Sequence, residues 1–111
     1  MTESLEISVA EVARRQALGE PLALIDVREL PEFQIARIAD AELIPMGTVP
    51  AKIEQIKALA QDAPLVIFCH HGVRSLNVTV WLRQRGIENC FSMGGGIDRW
   101  TQEIDPAVPR Y

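Results

Sequence analysis

Cysteine is scarce in this sequence: 111 residues contain two, Cys69 and Cys90, too few for a disulfide framework. Histidine is equally scarce. His70 and His71 are the entire supply, and no His/Cys spacing elsewhere completes a metal site with them. An excess of positive charge is also missing. Eleven Lys and Arg stand against fifteen Asp and Glu, a formal net charge of -4. That balance argues against nucleic acid or an anionic membrane surface as the main partner. Any anion the protein handles must be met by a local positive site working against the mean field. No apolar run approaches the roughly 20 residues that span a bilayer. The opening "MTESLEISVAEVARR" is acidic and amphipathic, without a signal peptide's basic start and unbroken apolar stretch. Repeats, linkers and low-complexity segments are absent too. The expectation is one soluble, cytoplasmic domain over residues 1–111, in a compartment where thiols stay reduced.

What is present is an alternation of short apolar runs and amphipathic stretches. Apolar residues make up 48% and charged residues 23%, a globular composition. "SVAEVARRQALGE" predicts a helix, with Ser8 and Glu11 at capping-box spacing and Gly19 at its left-handed end. "PLALIDV", "AELIPM", "APLVIF" and "IENCFSM" predict strands. "ELPEFQIAR", with Pro31 in its first turn, "VPAKIEQIKALAQ", "VRSLNVTVWLRQRG" and "GIDRWTQEI" predict the intervening helices. In the third of these, Leu76, Val80 and Trp81 are expected in the core. The tail "DPAVPRY" is expected to lie extended on the surface. Continuously apolar strands alternating with helices imply an α/β fold with a parallel sheet covered on both faces. Ligand sites in such sheets lie beyond the carboxyl ends of the strands, which brings Asp26 and Cys69 to one rim.

From Cys69 to Arg74 the chain must turn from a strand into a helix. Unpaired N–H groups at a helix start form an anion-binding nest, and a thiol facing it is favoured as thiolate. Gly72 lets the backbone curl, Arg74 adds a permanent positive charge, and Ser75 offers a hydroxyl. These features describe an activated nucleophile, with His70, His71 and Val73 lining the loop. Asp26, Arg28 and Glu32 are expected to orient it, with Asp26 or Glu32 pairing Arg74. Cys90, within an apolar strand, is read as packing. Gly94, Gly95 and Gly96 lack a following Gly-Lys-Ser/Thr and are read as a tight turn close to the loop.

Cys-x-x-Gly-x-Arg-Ser after a buried strand resembles the active-site loop of rhodanese-type sulfurtransferases. "LIDVRELPEFQIARIADAELIP" is similar to their upstream signature, and "MGGGIDRW" to their closing Gly-Gly-hydrophobic-x-x-Trp. The ordered set spans Leu24 to Trp100. The resemblance implies a five-stranded parallel sheet flanked by helices. It also implies a catalytic Cys69 that takes a sulfane sulfur from thiosulfate or a persulfide donor and passes it to a thiophilic acceptor. It implies no metal and no organic cofactor. Ala36-Arg37 stands where the family commonly has Gly-His. "EFQIARI" and "IDPAVPRY" are similar to rhodanese domains fused to ubiquitin-activating-like adenylyltransferases, which implies a ubiquitin-like sulfur-carrier protein as acceptor. Two other readings stay open: a delivery module for such a protein, and a phosphatase or arsenate reductase of the same fold. The related phosphatases have five residues between cysteine and arginine. Here there are four, which favours sulfur.

Overall fold

The computed structural model describes residues 4–111; residues 1–3 of the acidic opening lie outside them. In chain order the elements are β1 (Glu6–Ile7), α1 (Val9–Ala17), β2 (Ala23–Asp26), α2 (Leu30–Ile35) and β3 (Glu42–Leu43). Two short 3-10 turns (Met46–Thr48 and Pro50–Lys52) lead into α3 (Ile53–Asp62), followed by β4 (Leu65–Phe68), α4 (Val73–Gln84), β5 (Cys90–Met93) and α5 (Gly96–Glu103). Every strand pair is parallel, and the sheet order is β1-β5-β4-β2-β3. The α/β architecture inferred from the alternating pattern is therefore present, with all five strands.

Side chains of successive strand residues leave opposite faces of the sheet, so each central strand feeds two cores. Leu24, Val66 and Phe68 join α1 and α5 residues such as Val12, Ile97 and Trp100 on one face. Ile25, Leu65 and Ile67 join Ile56 of α3 and Val78 and Leu82 of α4 on the other. All four residues of β4 are inaccessible to solvent. Each contributes about 1.5–3 kcal/mol relative to exposure. Ile53, Leu59 and Ala60 pack around the second core, the α3 face the periodicity indicated. Ser8 caps α1 by accepting the Glu11 N–H at 3.0 Å. The Glu11 carboxylate turns to Arg14 and Arg15 instead of closing the box.

Three features differ from the sequence expectation. β1 is only two residues long, too short for a periodic signal, yet it pairs Ile7 with Met93 and completes the sheet. In α4 the face turned inward is Ser75, Val78, Thr79 and Leu82, while Leu76, Val80 and Trp81 are half-buried. Apolar residues surround this helix, so their spacing does not select a face. Packing on the sheet sets its orientation, and that orientation brings Ser75 to Cys69. Trp81 edges the second core with the Arg85 guanidinium 3.8 Å from its ring centroid. Finally, the tail does not run extended. The Val108 and Ala107 N–H groups bond Asp105, Val108 enters the first core, and Tyr111 is carried to the carboxyl rim of the sheet.

Candidate active site

β2 and β4 are neighbours, with Asp26 level with Phe68, so Cys69 emerges at the centre of the carboxyl rim. The thiol is 1% exposed and packs on the α4 side of the sheet. The chain then reverses through Gly72, whose φ of +110° lies in the region that glycine enters without steric cost. This turn points the Gly72 N–H at Cys69 Sγ, 3.1 Å away. The Ser75 N–H follows at 3.4 Å from the first turn of α4. The thiol in turn donates to Ser75 Oγ at 3.4 Å.

α5 holds the loop from the other side. The Ile97 N–H donates to the Cys69 carbonyl (2.9 Å) and the Asp98 N–H to the His70 carbonyl (3.1 Å). In a trans peptide the C=O and the next N–H point in opposite directions. Binding these two carbonyls to α5 therefore turns the His70 and His71 N–H groups away from it. The N–H groups of His70, His71, Val73 and Arg74 have no protein acceptor among the described residues. The approach requires Gly96: at φ +61°, a Cβ there would lie 2.5 Å from both the Cys69 and His70 carbonyl oxygens. The glycine run does form the close turn expected of it.

Of the two carboxylates considered for Arg74, the structure selects Glu32. The contact is a two-pronged pair at 2.8 and 3.0 Å. The Arg74 hydrogen bonds, helped by the Glu29 N–H and the Tyr111 hydroxyl, hold the Glu32 carboxyl down to about 2, while Arg74 is raised in return. Asp26 serves Arg28 instead. Both side chains are inaccessible to solvent, and Arg28 Nε and Nη2 donate to the carboxylate at 2.9 and 2.7 Å. Its remaining donors reach the Ala36 and Glu32 carbonyls and the Tyr111 hydroxyl. Such a buried pair is tolerable because all its polar groups are engaged. Tyr111 closes the set: its hydroxyl accepts from Arg28 and donates to Glu32, both at 2.8 Å. Sequence spacing offered no sign of Tyr111, which lies 79 residues from Glu32 and sits after two prolines.

The two histidines follow Cys69 directly and form part of an aromatic stack. His70 lies between His71 and Tyr111, with both centroid separations at 3.9 Å. Burial, then the neighbouring His71, lowers the His70 pKa, so this imidazole is neutral at physiological pH. Asp98 supplies the third donor that sequence spacing lacked, and the ligand atoms of His70, His71 and Asp98 lie within 4.8 Å of one another. Asp98 is also engaged by Arg110 (3.1 Å) and Gln102 (2.8 Å). Behind the sulfur, Ser92 of β5 lies 2.8 Å from Ser75 Oγ, a contact that also escaped the sequence reading.

A cysteine cradled at the carboxyl rim of a parallel five-stranded sheet, with a four-residue loop to an arginine, defines the class. The rhodanese-like domain model matches residues 8–103, and the chain belongs to the rhodanese-like family. It is 36% identical to a putative sulfurtransferase, YtwF, of Bacillus subtilis, covering 94% of this chain and 97% of that protein. It is 33% identical to the adenylyltransferase and sulfurtransferase MOCS3-2 of Zea mays, covering 100% of this chain and 24% of that protein. The chain thus spans about a quarter of the maize relative. A solved rhodanese-like domain protein from Staphylococcus aureus superposes with a TM-score of 0.78 at 28% identity, covering 96% of this chain and 97% of the other.

Proposed function

We propose that this protein is a sulfurtransferase in which Cys69 carries a sulfane sulfur from thiosulfate or a persulfide donor to a thiophilic acceptor. The observation that carries this reading is a buried sulfur receiving two N–H bonds in a loop with four further N–H groups unpartnered among the described residues. The Cys69 thiolate attacks the outer sulfur of the donor. The donor's S–S bond breaks, and its electron pair leaves with sulfite or a thiolate. The new Cys69 persulfide places its charged outer sulfur among the free N–H groups of the loop, which act as an oxyanion hole would. The acceptor then attacks that outer sulfur and releases the Cys69 thiolate. Neither metal nor organic cofactor enters this sequence, and residues 1–111 act as one domain. Intact mass tests it: incubation with thiosulfate adds one reducible sulfur atom to the wild type and none to Cys69→Ser. Hydrolysis of phosphate esters without that gain in mass would favour the phosphatase reading.

A second reading concerns the acceptor. Leu30, Met46 and Val73 follow β2, β3 and β4 onto the carboxyl rim and are 53, 39 and 71% exposed. Exposed apolar side chains around a reactive centre favour a protein acceptor over a small anion. The resemblance to the maize adenylyltransferase and sulfurtransferase supports a ubiquitin-like sulfur carrier in that role. Transfer of labelled sulfur from the loaded protein to such a carrier, followed by mass, tests it.

A further inference from the structure

The pair of hydroxyls behind Cys69 has a proton count that admits one arrangement. Ser75 Oγ lies 3.4 Å from Cys69 Sγ, 3.2 Å from the Gly72 carbonyl and 2.8 Å from Ser92 Oγ. Both serines are inaccessible to bulk solvent, so their hydroxyls turn to the groups around them. A hydroxyl offers one proton and two lone pairs. With Cys69 as a thiol, S–H donates to Ser75 Oγ and the Ser75 proton goes to the Gly72 carbonyl. One acceptor position on Ser75 is then left, and Ser92 O–H fills it. Ser92 Oγ has no other partner among the described residues.

We infer that Ser92 is a positioning residue for sulfur transfer, and that it acts through Ser75 to stabilise the departing Cys69 thiolate. The inference rests on the proposed sulfurtransferase reading. In the discharge step the acceptor nucleophile bonds to the outer sulfur, the bond between that sulfur and Sγ breaks, and its electron pair remains on Sγ. The Ser75 proton then swings from the Gly72 carbonyl to the anionic sulfur. No group is orphaned by this swing, because the Gly72 carbonyl keeps the Leu76 N–H at 3.1 Å. The Ser92 donor stays on Ser75 Oγ throughout. It holds the oxygen in place while the proton changes direction, and by polarising the hydroxyl it makes Ser75 a stronger donor. Sγ thereby receives a third hydrogen bond, beside those from Gly72 and Ser75 N–H, when its charge appears.

Single-turnover discharge of preloaded persulfide into cyanide, read by intact mass, tests the relay. Ser92→Ala is expected to slow discharge about fivefold, and Ser75→Ala about tenfold or more. The double variant is expected to be no slower than Ser75→Ala, since Ser92 has no other route to the sulfur. The isosteric pair Ser92→Thr and Ser92→Val provides a second measurement insensitive to packing, with the hydroxyl-bearing variant the faster. Wild-type discharge in Ser92→Ala, equal rates for the Thr and Val variants, or multiplying losses in the double variant would each overturn the relay while leaving sulfur transfer intact. A wild type that gains no sulfur would overturn the sulfurtransferase reading, and the relay with it.

Discussion

At the scale of single residues, two buried thiols differ by their neighbours. Cys90 has the apolar surroundings of β5, and burial pushes its pKa up to about 11. Cys69 is as buried but faces two N–H donors at the start of α4. Cys69→Ser is therefore expected to abolish thiosulfate:cyanide turnover, and Cys90→Ser to keep more than half of it in the same assay. Arg74 makes a different case. The sequence offered Asp26 or Glu32 as partner to its charge, and the structure matches that charge with Glu32. We therefore expect Arg74 to fix the loop rather than to bind the donor. Arg74→Ala should lower turnover about tenfold through misplacement of the loop. The loss should be similar for dianionic thiosulfate and for an uncharged persulfide donor. A loss confined to thiosulfate in parallel assays would assign Arg74 to binding the anionic donor instead.

Elements carry their own lesson about legibility. Long apolar runs such as "PLVIF" announce their strands, because burial on both faces leaves a continuous signature. The motif at Cys69 was equally readable, since cysteine, glycine, arginine and serine fall within seven residues directly after an apolar run. β1 was not, because its two residues depend on pairing with β5 some 86 positions away. Nor was the inward face of α4, where apolar side chains surround the helix and tertiary contacts choose among them. Ser92 and Tyr111 escaped for a related reason: each meets the site only through folding. The junction of α5 with the loop yields a test at this scale. Gly96→Ala forces a Cβ to 2.5 Å from two carbonyl oxygens at a positive φ, and should cost at least about 2 kcal/mol in thermal unfolding and most of the activity. Gly47→Ala, with open space and ordinary backbone, should cost nothing measurable.

For the molecule as a whole, the pair between Glu32 on α2 and Arg74 on α4 ties two elements across the rim. The Glu32 carboxyl is held at about 2 against an ordinary 4.5, so folding is favoured by its ionisation. The sign follows: this stabilisation is fully present above about pH 4.5 and is lost as pH falls toward 2. Melting temperatures of wild type and Glu32→Gln should differ by a constant amount above that window and converge within it. Other carboxylates titrate alike in both proteins and cancel from the difference. Tyr111 shares this bridge, and it is the chain's sole tyrosine. Its ring lies face to face with His70, within 7° of parallel, and His70 is the residue next to Cys69. One set of aromatic resonances, free of overlap from any other phenol, therefore acts as a magnetic reporter on the loop. In proton spectra its displacement on loading Cys69 would let sulfur occupancy be followed in solution without label, dye or trap.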